Sequence, residues 1–354
     1  MPLFHQLPDR IKLTLWFTAT AAVIGGAYAH VISMQNGAPL FGFAGVMRGI
    51  LTGAVIAGVV GTVETLIATQ AWTARLRSAS LAVHLTIKTV VLLAVILFGL
   101  VLGAWLFPTP SEAGLWFPFQ WGDVAFSLAA SFVFNFLAEI NRMLGRNVLL
   151  NFITGRYHRP RLEERVFLFI DMVGSTGIAE RVGDRAFLRL LNRFVGDLTA
   201  PIIAERGEIH RYVGDELIAT WKLADGLAEA RCVRACFAAL ARLEREAPAY
   251  QHEIGAGVTF RAGLHCGPVV TGEMGTVKKE IVFLGDTVNT TARIQNLCRE
   301  TGDQILASAT LLDRLALPTG IAKRPLGDRR LRGKESEIAL YALEGATGSR
   351  AAAA

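Results

Sequence analysis

Apolar residues run almost unbroken along four stretches of the first 140 residues, at about 13–32, 42–67, 81–107 and 123–140. Each is close to the ~20 residues an α-helix needs to cross a bilayer core, so the pattern predicts four membrane spans. From residue 166 short apolar runs alternate with amphipathic stretches, the mark of a domain built from strands and helices. VFLFID (166–171) predicts a buried strand, followed by an amphipathic helix to about 198. Residues 207–221 predict two alternating strands around Gly214-Asp215, a hairpin turn signal. A helix is expected over 224–246, and 280–297 reads as a short strand, a Gly-Asp turn and a further helix.

Composition sharpens this division. The 354 residues are 52% hydrophobic and 19% charged with a mean hydropathy of +0.40, too apolar for one soluble domain of average composition and for a disordered chain. Residues 1–140 hold six Lys or Arg and five acids, leaving 30 basic and 25 acidic residues for the rest. Arg10 and Lys12 precede the first stretch and Arg75 and Arg77 separate the second from the third. The excess of positive charge on that side predicts a multi-pass protein of the inner membrane, with the N-terminus and the soluble domain cytoplasmic. The net charge of +6 is modest, and part of it clusters at Arg156, His158, Arg159 and Arg161, which fits an anionic lipid surface. A lipid bilayer is the expected partner and nucleic acid is not. Cys232, Cys236, Cys266 and Cys298 form no CxxC pair, so they read as reduced thiols.

Three pieces of the second half carry chemistry. Asp171 ends a strand and is followed by Met172-Val173-Gly174-Ser175-Thr176 at a helix start, which sets a carboxylate beside open backbone N–H groups that suit metal and phosphate. Asp215 lies in the hairpin turn, and two aspartates brought together at strand ends hold two divalent ions on one triphosphate. Asn289 and Arg293 are four apart on one helical face, an amide to fix a hydroxyl and a guanidinium to take developing phosphate charge.

Across residues 163–345 these pieces resemble the class III nucleotidyl cyclases, the adenylate and guanylate cyclase family. FIDMVGST resembles the family's first metal motif, RYVGDELIA its second, GLHCGPVVTGEMG its central strand pair, FLGDTVNTTAR its transition-state motif and LRGKESEIALYAL its closing strands. The resemblance implies an α+β domain with a ferredoxin-like βαββαβ core behind the α-helical four-span bundle. The resemblance bounds the catalytic domain at 163–345, and the apolar stretches, the basic cluster and the small-residue tail divide the rest into 1–140 as membrane domain, 141–162 as a helical and basic coupling linker and 346–354 as a disordered tail.

By position it implies that Asp171, Asp215 and the backbone of Met172 bind two Mg²⁺ or Mn²⁺ ions per site, with Gly174, Ser175, Thr176 and Gly214 near the phosphates. Asn289 would orient the ribose, Arg293 would stabilise the α-phosphate transition state, and Arg332 would contact phosphate. The implied reaction converts ATP to 3′,5′-cyclic AMP and pyrophosphate by attack of the 3′-hydroxyl. Because the family draws the two halves of each site from different subunits, a head-to-tail homodimer is implied.

Two base-contact positions depart from the family. Arg211 stands where adenylate cyclases usually carry Lys, and Val282 where they carry Asp or Thr. Neither matches the Glu and Cys of guanylate cyclases. A guanylate or dual-specificity cyclase is therefore the alternative, and a non-catalytic nucleotide-binding membrane receptor the alternative of another class. Retention of both aspartates, Asn289 and Arg293 favours the enzyme.

Overall fold

The computed structural model describes residues 9–35, 43–69, 81–107, 121–144, 151, 154–331 and 337–345. The chain divides into two compact units, Met1–Glu139 and Ile140–Ala354. Arg75, Arg77, Arg332, residues 145–150 and 152–153 of the expected linker and the 346–354 tail lie outside the described residues.

A helix stands at each of the four apolar stretches: α1 (Asp9–Gln35), α2 (Phe43–Thr69), α3 (Leu81–Leu106) and α4 (Trp121–Leu144). Small residues let α1 and α2 approach. A Cβ added at Gly25 would overlap the carbonyl of Gly49, and one at Gly53 the carbonyl of Ala21. Ala21 and Gly25 on α1 face Gly49 and Gly53 on α2, a small-xxx-small seam. Elsewhere Tyr28 stacks on Phe126 at 3.9 Å and donates to Asp123 Oδ1 at 3.3 Å. Leu92, Ile96, Leu100 and Val124 are buried together, while Val23, Phe98, Trp105 and Phe132 are exposed. Among the described residues one helix, α3, has a stretch long and apolar enough to cross a membrane, Thr89–Leu106; Phe17–Ile32, Gly45–Val59 and Trp121–Val133 are shorter apolar stretches.

The second unit is built on one mixed sheet. Its strands are β1 (Arg161–Met172), β2 (Glu208–Val213), β3 (Glu216–Lys222), β4 (Phe260–Met274), β5 (Glu280–Leu284), β6 (Ile305–Ser308), β7 (Ile321–Arg330) and β8 (Glu337–Gly345). The order is β2-β3-β1-β4-β6-β8-β7, with β5 paired to β4. Between β1 and β2 run α5 (Ser175–Val182) and α6 (Asp184–Ala204), and between β3 and β4 run α7 (Leu223–Leu227) and α8 (Arg231–Ile254). The first four strands thus form an antiparallel βαββαβ unit in order 2-3-1-4. Beyond it come α9 (Asp286–Thr301) and the short α10 (Ala309–Leu312).

β1 is apolar at consecutive positions because both faces of the sheet are covered. Val166, Leu168, Ile170 and Met172 pack on one side with Leu190, Phe194 and Leu198 of α6 and Cys232, Cys236 and Leu243 of α8. Phe167 and Phe169 face the other side with Ile218, Val269, Phe283 and Val288. Each such burial contributes roughly 1.5–3 kcal/mol. The β4–β5 hairpin curls over this second face, so that Phe283 meets Phe167 edge-on at 5.5 Å and His210 at 4.7 Å.

The structure corrects three expectations. β1 starts at Arg161, five residues before its apolar run, because pairing with β4 extends from Arg161↔Thr271 to Met172↔Phe260 and the buried charge in this stretch is satisfied internally. Arg165, only 2% exposed, donates to Glu163 at 3.0 Å, Glu208 at 2.9 Å and the Tyr157 hydroxyl at 3.3 Å. The helix expected to run to about 198 is broken at Gly183, whose φ of +78° favours glycine, and resumes to Ala204. The helix expected over 224–246 starts at Arg231, after a 3₁₀ turn in which Glu229 and Ala230 take positive φ, and runs on to Ile254. Part of the basic cluster is also ion-paired at the surface. Arg156 lies 4.0 Å from Glu163 and His158 3.7 Å from Glu273. All four cysteines are buried and free, and burial pushes the Cys232 and Cys298 thiols up to about 12.

Candidate active site

Asp171 is the penultimate residue of β1, and antiparallel pairing sets it opposite Glu216 at the start of β3. Val213 pairs with the same Glu216, so Gly214 and Asp215 form a two-residue turn beside Asp171. Gly214 takes φ +63°, the positive value such a turn needs at its first position. Three carboxylates therefore share one sheet end. Burial first, and then the charges of Asp171 and Asp215, push the Glu216 carboxyl up to about 7. Glu216 is absent from the sequence-derived set, although it is the immediate neighbour of Asp215.

Met172 is buried, and the chain then turns through Val173 and Gly174 into α5. Gly174 is the N-cap in the left-handed conformation and makes no side-chain cap bond. Neither Ser175 nor Thr176 is the cap of this helix. Both hydroxyl residues lie in the first turn, where backbone N–H groups have no intrahelical acceptor.

A second cluster forms where β5 meets β2. Arg211 Nη2 lies 2.6 Å from Glu280 Oε2, and Lys278 Nζ 2.6 Å from Glu280 Oε1. Hydrogen bonding to Lys278 first, and the nearby Arg211 after it, lower the Glu280 carboxyl. Val282, one pleat along from Glu280, is buried and pairs with Gly272. Glu280 is the second residue absent from the sequence-derived set, and only the fold brings it to Arg211.

α9 crosses the second face of the sheet on Thr287, Thr290, Thr291, Ile294, Gln295 and Cys298. Asn289 is exposed and Arg293 half-buried. The helix does reach Asp171, but through Arg299 in its last turn, whose Nη2 lies 2.8 Å from Asp171 Oδ2. Arg299 is ten residues beyond Asn289 and six beyond Arg293, or about 15 and 9 Å along the axis. Within one chain the aspartates share a sheet end and Asp171 is joined to Arg299, while Asn289 and Arg293 are set well along the helix from that contact.

The carboxylate cluster fits a divalent cation. Two aspartates and a backbone carbonyl are hard oxygen donors, and Mg²⁺ usually takes one or two carboxylates plus substrate phosphates. A guanidinium already neutralises one of them. Among the described residues no group of three or more His, Cys, Asp or Glu forms a protein-only metal cage.

Comparison with known proteins bears on this arrangement. The family described as "Adenylate and Guanylate cyclase catalytic domain" matches residues 158–345. Adenylate cyclase 2 of Rhizobium meliloti (strain 1021) is 40% identical over 220 residues, 62% of this chain and 61% of that protein. Adenylate cyclase 1 of the same organism is 26% identical over 188 residues, 52% of this chain and 28% of that protein. The chain therefore spans less than two thirds of the length of these relatives. A solved structure of a bacterial light-regulated adenylyl cyclase shares the fold, with a TM-score of 0.52 at 20% identity over 61% of this chain and 62% of that one.

Proposed function

From the membership of this chain in the adenylate and guanylate cyclase catalytic-domain family, we propose that it is a membrane-bound adenylate cyclase working as a head-to-tail homodimer. The observation that carries the reading is the split of the site. One chain holds both the aspartate cluster and the Asn289–Arg293 pair, yet α9 meets Asp171 through Arg299. A second copy supplies the missing half, so each dimer has two equivalent composite sites. Leu162, Val270 and Leu284, exposed by 76%, 38% and 58%, stand side by side across β1, β4 and β5, an apolar stripe that a partner would cover.

In this site the N–H groups at the start of α5 and Arg332 bind phosphate oxygens, Asn289 fixes the ribose, and Arg293 takes charge developing on the α-phosphate. The 3′-oxygen bonds to the α-phosphorus as the bond to pyrophosphate breaks, and the hydroxyl proton is lost. Two Mg²⁺ or Mn²⁺ ions bound by Asp171, Asp215 and the Met172 carbonyl would supply Lewis-acid stabilisation of the triphosphate.

ATP is favoured because the 40%-identical relative is called an adenylate cyclase. Dual specificity is the second reading, since Val282 offers the base an apolar wall and Arg211 is engaged by Glu280, and sites without paired polar contacts reject analogues poorly. The four helices are proposed as inner-membrane spans with the second unit cytoplasmic. Their outward Val23, Phe98, Trp105 and Phe132 and the α1–α2 seam of small residues suit lipid.

The test is cyclic nucleotide production by the purified full-length protein given equal ATP and GTP, with Mg²⁺ and then Mn²⁺, beside Asp171→Ala. Cyclic AMP that disappears in the variant is expected. No product from either nucleotide, with binding intact, would make the protein a nucleotide-binding receptor instead.

A further inference from the structure

Among the described residues, the cation paired with Asp171 is Arg299 at the end of α9. Arg299 Nη2 meets Asp171 Oδ2 at 2.8 Å across 128 residues of sequence. The Asp171 side chain is almost buried and Arg299's is 60% exposed. Asp171 is thus fixed at its strand end, between β3 and β4, while the guanidinium reaches it from water and can return there at little cost.

We propose that Arg299 is a positioning residue that acts as resident counter-cation of the carboxylate cluster, holding Asp171 until divalent ions arrive and leaving Oδ2 before that oxygen accepts one. The proposal rests on the reading of Asp171 and Asp215 as metal ligands. With Arg299 in place one acceptor position on Asp171 Oδ2 is filled by an N–H donor, so a cation that would be held by that oxygen competes with the guanidinium for it. The same positive charge that keeps the aspartates together opposes the binding of further positive charge. A purely structural role is the competing account, because a basic side chain in the last turn also suits the helix dipole.

Mn²⁺ binding to the nucleotide-free full-length protein, followed by the electron paramagnetic resonance signal of free Mn²⁺, separates the two. Arg299→Gln and Arg299→Met, which remove the charge in different shapes, are each expected to bind Mn²⁺ more tightly, by at least about fivefold. Arg299→Lys keeps the charge and is expected to stay within about twofold of the wild type. Binding no tighter than wild type in Arg299→Gln and Arg299→Met overturns the proposal. Asp171→Ala is the control for the site: Mn²⁺ binding that survives it overturns the metal-site reading itself, whereas binding lost there and unchanged in Arg299→Gln overturns the role of Arg299 alone.

Discussion

Gly263 sits where β4 has neighbours on both edges, paired with Phe169 of β1 and Leu306 of β6, and α9 lies directly on it. A Cβ added at Gly263 would come within 2.5 Å of the Gln295 backbone nitrogen and 2.8 Å of its Cα. Ordinary contact begins near 3.4 Å, and neither the central strand nor a helix backbone can turn aside as a flexible side chain does. Gly263→Ala therefore lifts α9 by about 1 Å, an overpacking that costs roughly 1–3 kcal/mol. The helix carries Asn289 and Arg293, and a displacement of that size at a reacting centre costs about 10²-fold in rate. Urea denaturation and cyclic nucleotide formation at saturating nucleotide measure the two effects. A variant within about 0.5 kcal/mol of wild type that also keeps its full rate would refute the claim that this glycine seats the catalytic helix.

Further expectations follow from other contacts. Arg165→Ala leaves Glu163, Glu208 and Tyr157 without their shared donor, for a loss of about 3 kcal/mol in urea, the low end of the range for a broken buried pair because Glu208 has some solvent access; an unchanged midpoint would contradict it. Burial first, then the charges of Arg211 and Arg165, bring the His210 imidazole down to about 4. It is neutral when folded and takes a proton more readily when unfolded, so its contribution is full above about pH 6.5 and is lost as pH falls toward 4. Melting of His210→Phe should therefore fall less steeply than wild type over that window, and parallel curves would exclude the effect. Glu280→Gln frees Arg211 for the base and should lower KM for nucleotide about threefold with kcat little changed, whereas an unaltered KM for both ATP and GTP would remove Arg211 from base binding.

The ordered motifs between 166 and 297 made the strand–turn–helix pieces around Asp171, Asp215 and Asn289 legible, since each is a local pattern of apolar residues closed by a Gly or Asp turn. What stayed hidden is nonlocal. The charged start of β1 reads as linker until Arg165 is seen to be neutralised by Glu163 and Glu208, 43 residues apart from it in the latter case. Arg299 and Glu280 are ordinary surface charges in sequence and acquire meaning only when α9 crosses the sheet and the β4–β5 hairpin curls back to β2. Gly183 shows the reverse limit, a single residue inside an amphipathic pattern whose backbone conformation ends the helix while the apolar periodicity runs on.

The central claim, that two copies of this chain complete each other's sites, is tested most directly by mixing. Asp171→Ala and Arg293→Ala chains, each inactive alone, are co-expressed in equal amounts and assayed for cyclic AMP. A mixed dimer has one intact site and one doubly impaired site, and random pairing makes half the dimers mixed, so about a quarter of wild-type activity is predicted. Mixtures as silent as either variant alone, beside active wild type and with mixed dimers demonstrably formed, would contradict the composite site.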